Sequence, residues 1–147
     1  MTNVSEELGR HMRVWFKDNE QAIGFAQGLW EAAQEWDDLE DEGECRHNQL
    51  LAWLAFGKEW QPFFLANSVV LRPAMLNMYL QWRVANVLEH GSRDDVSKAY
   101  MLRAGIYGVF HMIAWIVGGD EWAAQVGPDI YRTYAETPES LWEEMNA

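Results

Sequence analysis

The stretch 94–117 constrains this chain more than any other. Between Lys98 and Asp120 the only formal charge is Arg103, so a helix here is apolar almost all the way round. Such a helix belongs in the middle of a domain, with neighbours on every side. Ser92 is placed to cap its start and Gly118-Gly119 to end it. Few β-branched runs occur, and three of the four prolines stand near plausible helix starts. The expectation is an all-α fold: one domain, residues 1–147, forming a bundle of about five to seven helices around a central apolar helix at about 94–117. A chain of 147 residues can bury one core of this kind without staples.

The flanking segments supply the surrounding helices. Ser5 reads as the cap of a first helix to about Lys17, with Val4, Leu8, Met12 and Trp15 spaced for one buried face. Asp18-Asn19 starts a second, from about Glu20 to Glu42, and Gly43 stops it. A third runs from about Arg46 to Phe56 and ends at Gly57. Residues 58–67 read as irregular or one turn because Pro62 interrupts them, with Trp60, Phe63 and Phe64 available to plug the bundle. A fourth helix extends from Asn67 or Pro73 to His90. Asp120 opens a short helix that Gly127-Pro128 is expected to interrupt. Thr137-Pro138 starts a last one ending near Met145.

Charge narrows the function classes. A formal net charge of −12 argues against direct nucleic-acid binding, which needs a basic surface. It leaves room for a mimic of nucleic acid, although a solvated acidic surface is the simpler reading. Cys45 is the only cysteine, so neither an internal disulfide nor a cysteine-based zinc cluster is expected. The opening MTNVSEELGR lacks the pattern of a signal peptide. The longest stretch free of Asp, Glu, Lys and Arg, Ala104–Gly119, falls short of the roughly 20 residues that span a bilayer. A cytoplasmic setting with no membrane span follows.

Polar residues on otherwise apolar faces mark where to look for a site. In the second helix Ala22, Ala26, Leu29, Trp30 and Ala33 form a stripe that continues into Asp37, Glu40 and Asp41, with Asp38 beside it. Carboxylates facing a core need a cation, a metal or a donor. Arg103 shares a face with Tyr107, and His111 lies two turns further on. Arg83 is flanked by Asn86. Pairing of Asp37 and Asp41 with Arg103 and Arg83 would lock helix register, since the guanidinium fork holds carboxylates by two hydrogen bonds. The alternative is an open site in which Asp37, Asp38 and Asp41 hold magnesium or manganese. The four histidines show no metal-type spacing, and Cys45 reads as an inert thiol despite the nearby His47.

The arrangement W-D-D-L-x-D at 36–41, W-R-x-A-N at 82–86 and G-G-D-E-W-A at 118–123 resembles small helical proteins of tailed bacteriophages, over about Trp30 to Tyr134. The resemblance implies a viral origin and a setting in the host cytoplasm or the virion, without supplying a mechanism. Two functions follow as expectations. The first is a binding protein that acts by contact with a protein partner and needs no cofactor, with self-association left open. The second is a small metal-dependent phosphohydrolase or ligand-binding enzyme centred on Asp37, Asp38 and Asp41.

Overall fold

Local capping sets most of the helix boundaries. The computed structural model describes residues 4–57 and 61–147, leaving aside the side chains of residues 4, 5, 55 and 56. The capping role expected of Ser5 and the plugging role of Trp60 fall outside that description. Nine helices and no strands occur among the described residues. Helix α1 (Val4–Trp15) hands over to α2 (Glu20–Asp41) through two left-handed residues, Lys17 (φ 51°) and Asp18 (φ 58°). Asn19 then caps α2, its side chain accepting from the Ala22 amide at 3.0 Å. Gly43 (φ 72°) turns the chain after α2, and α3 (His47–Phe56) ends at Gly57.

A short helix α4 (Pro62–Ala66) buries Phe63 and Phe64 against Phe25 of α2, with ring centroids 6.0 and 5.9 Å away. The longer α5 (Ser68–Leu88) carries Pro73 within it. The expected central helix is divided into α6 (Arg93–Leu102) and α7 (Gly105–Gly118). At the break the Arg103 amide still bonds to the Ala99 carbonyl at 2.9 Å, whereas the Ala104 amide reaches back only three residues, to Met101 at 3.3 Å. The tightened turn sits at the one formal charge of the segment, and it puts Arg103 at the end of a helix rather than inside one. A Cβ on Gly105 would come within 2.9 Å of Gln81 Oε1 and 3.3 Å of Met78 Cγ, so α7 starts close against the side chains of α5.

Helix α8 (Asp120–Arg132) also departs from expectation, because it continues through Gly127-Pro128. Proline removes one intrahelical bond and strains the turn before it; burial of Val126 and Ile130 offsets that locally. Finally α9 (Pro138–Met145) starts from a capping box in which Thr137 and Ser140 exchange side-chain-to-backbone bonds of 3.0 and 2.9 Å.

Helix α7 packs along α5 and α8 and also touches α2, burying Ile106, Tyr107, Val109, Phe110, Ile113 and Ala114. It therefore holds the central place read from its composition, in company with α5, which contacts α3, α4, α6 and α7. The main core runs from Met12, Trp15 and Phe16 through Phe25, Leu29, Leu71 and Met75 to Phe110 and Ile130. A small satellite core joins Ala85, Val96, Ala99 and Leu141. The ring N–H groups of the buried Trp15 and the half-buried Trp122 find acceptors: Trp15 donates to Asp129 at 3.1 Å and Trp122 to the Trp15 carbonyl at 2.8 Å. Among the described residues, 93–118 is the one helical stretch long and apolar enough to be considered for crossing a membrane. Arg103, ion-paired on two sides, lies in its middle.

Candidate ligand-binding cleft

The second half of α2, the middle of α5, the α6–α7 break and the chain between α8 and α9 enclose a cleft of about 320 Å³. Its walls are aromatic: Trp30 and Trp36 from α2, Tyr79 and Trp82 from α5, Tyr107 from α7 and Tyr134 after α8. The helical spacing that directs tryptophan to a core here leaves several rings only half-buried, because the core ends where the cleft begins.

Three charged side chains line it. Asp37 accepts a hydrogen bond from Trp82 Nε1 at 2.5 Å, and among the described residues no Lys, Arg or His comes within 4 Å of its carboxylate. Burial raises its pKa above the ordinary value, while the Trp82 bond and the more distant Arg103 pull the other way. Arg103 is held from two directions. Its Nη1 donates to Glu89 at 2.7 Å, and its Nε and Nη2 grip both oxygens of Glu136 at 3.1 Å each. Burial opposes the guanidinium charge, but Glu136 and Glu89 outweigh it and raise the pKa further, so Arg103 stays protonated. The Tyr134 hydroxyl stands 2.8 Å from Glu136 Oε2 and 2.9 Å from the Tyr100 carbonyl. Burial, reinforced by the Glu136 carboxylate, keeps it from ionising.

The expected ion pairs are therefore replaced. Arg103 does not pair directly with Asp37; two glutamates closer to its head group take all three of its hydrogen bonds. Arg83 does not meet Asp41. It is exposed and donates to the Tyr79 hydroxyl at 3.1 Å. Of the residues singled out in the sequence, Asp37, Arg103 and Tyr107 come together in the cleft. Asp38 and Asp41 face solvent on α2. Asn86 is half-buried, and its Nδ2 finds no partner among the described residues. His111 lies between α7 and α8, its Nε2 donating to the Ala123 carbonyl at 2.8 Å.

The ligand atoms of Asp37, Asp38 and Asp41 do not all lie within 4.8 Å of one another. Glu89 and Glu136 carry no signal in the sequence: both lie where helical periodicity gives no direction, one at the end of α5 and one in the connection before α9. The W-R-x-A-N segment contains Trp82, but its spacing does not point to the bond with Asp37.

The arrangement is chemically lopsided. Asp37, Glu136 and the adjacent Glu89 surround one guanidinium, three of whose five N–H donors bond to the two glutamates. Asp37 is left as an acceptor at the wall of an aromatic cleft, a setting suited to a cation. Comparison with known proteins gives no family model, no curated protein and no solved structure that matches this chain.

Proposed function

We propose that this protein acts by contact, as a binding protein, and that the Asp37 cleft receives a basic side chain of a protein partner. The observation that carries this reading is the half-buried Asp37 carboxylate, neutralised by no adjacent cation, among six aromatic rings. Ring faces attract ammonium and guanidinium groups by about 0.5–2 kcal/mol depending on desolvation. A charge-assisted hydrogen bond to Asp37 adds roughly 1.5–3 kcal/mol. An isolated lysine or arginine side chain should therefore bind at about millimolar strength, enough to anchor a larger interface.

Two further features support a partner. The net charge of −12 favours encounter with a basic surface. Leu80, Val84 and Val87 stand exposed on α5 at spacings that place them on neighbouring parts of one face. The resemblance to small helical phage proteins suggests a partner in the host cytoplasm or the virion. A phosphohydrolase built on Asp37, Asp38 and Asp41 has less support, because Asp38 and Asp41 are exposed and do not line the cleft.

The test is titration of the full chain with lysine- and arginine-containing peptides, following the indole N–H of Trp82 by nuclear magnetic resonance. A saturable shift that disappears in Asp37→Asn is expected. Equal shifts with acidic peptides, or an unchanged response in Asp37→Asn, would refute the reading.

A further inference from the structure

The turn from α2 to α3 gathers a second set of polar side chains, apart from the Asp37 cleft. Glu40 is in the last turn of α2, Gly43 reverses the chain with φ at 72°, Cys45 follows, and His47 is the first residue of α3. The spacing E-x-x-x-x-C-x-H shows no helical or strand period, so the sequence alone does not bring these residues together. The reversal does. His47 Nε2 lies 2.9 Å from Glu40 Oε2, and Cys45 Sγ joins them so that all three donor atoms fall within 4.8 Å of one another. None of the three is fully exposed; the Glu40 and His47 side chains are 28% and 29% accessible.

We propose that Glu40, Cys45 and His47 form a zinc(II) site, with the fourth position left to water. The donor set decides the metal. Magnesium and calcium take oxygen ligands, whereas a sulfur, an imidazole nitrogen and a carboxylate oxygen are the three donor types that zinc accepts together. Zinc bonds of about 2.0–2.3 Å in a tetrahedron put neighbouring donors roughly 3.2–3.7 Å apart. The observed separations, 2.9 Å for the Glu40–His47 pair and no more than 4.8 Å within the set, bracket that spacing. Three protein ligands and an open position are the arrangement of an accessible zinc centre rather than a sealed one.

Such an ion would tie α2 to α3 across a turn that is otherwise crossed by the Glu40–His47 bond. It would also reach the cleft. The His47 ring meets Trp82 edge-on, with centroids 6.1 Å apart and planes at 66°, and Trp82 donates to Asp37. Fixing His47 thus steadies the ring that orients the cleft's free carboxylate.

Cobalt(II) added to the untagged full chain tests the site, because it takes zinc positions and reports its ligands by absorption. One cobalt per chain should bind, with a thiolate-to-metal band in the near ultraviolet and strong visible bands of a tetrahedral ion, all bleached by zinc. Cys45→Ala and His47→Gln should lose these bands, while Asp37→Asn and His11→Gln keep them. Survival of the spectrum in Cys45→Ala, its loss in His11→Gln, or a weak octahedral spectrum would overturn the proposal. Should Cys45→Ala fail to fold, alkylation of Cys45 in the parent chain decides instead: zinc should slow the reaction, and an unchanged rate would refute the site. Retention of the bands in Asp37→Asn keeps this result independent of the cleft's proposed ligand.

Discussion

Arg103→Met is the perturbation with the clearest structural consequence. Arg103 donates three hydrogen bonds to two carboxylates. Its removal strands Glu89, whose side chain is 9% exposed, more severely than Glu136 at 27%. Breaking a buried pair from one side costs roughly 3–5 kcal/mol. Glu136 can rehydrate through the cleft and keeps its contact with Tyr134, so the lower end applies: about 3 kcal/mol at neutral pH. In a domain of this length such a loss lowers Tm by about 10 °C. The loss should also depend on pH. Burial already raises the Glu89 pKa above its ordinary value of 4.5, and Arg103 restrains that rise.

A carboxyl whose folded pKa is raised contributes stability that is fully present below its unfolded value and lost as pH climbs through the folded one. Without Arg103 the folded value climbs further, so the variant loses more than the parent as pH rises from about 4.5 to neutrality. Urea denaturation at both ends of that range measures the difference. Adding Glu89→Gln to Arg103→Met should restore a large part of the loss, because the more deeply buried of the two stranded charges is gone. Strictly additive losses in the cycle, or an identical cost at both pH values, would refute the reasoning.

Asp37→Asn should separate stability from binding. The pKa of Asp37 is raised, first by burial, so its contribution is complete below the ordinary 3.8 and declines as pH passes its folded value. Asparagine keeps an acceptor for Trp82 and removes the titration. Thermal melts should therefore show a flatter pH profile and a neutral-pH Tm no lower than the parent's; a steeper profile would count against the cleft's electrostatics. At Gly127 a Cβ would lie 2.8 Å from His111 Nε2, so Gly127→Val should cost about 2 kcal/mol by overpacking the α7–α8 contact. The same change in a His111→Ala background should cost less, measured by chemical denaturation, and an equal cost would assign the effect elsewhere.

The sequence alone specifies the all-α class, many of the helix ends and an apolar segment at 94–117, of which the second half takes the central place. Those features rest on interactions within a few residues: Asn19 and Thr137 capping their own helices, Gly43 and Gly57 stopping theirs, and an apolar surface with nowhere to go but inward. It also marked Asp37, Arg103 and Tyr107, because a helical wheel shows which side chains face a core. What meets them depends on how the helices pack. Asp37 and Arg103 are both inward, yet Glu89 and Glu136 stand closer to the guanidinium, and neither belongs to a pattern with a readable direction. Continuation of α8 through Pro128 likewise depends on packing, which can override a local breaker. The same holds for the α2–α3 turn, where a chain reversal sets Cys45 and His47 beside Glu40. Periodicity reports which way a side chain points along its own element, whereas distances between elements are set by the packing of all of them at once.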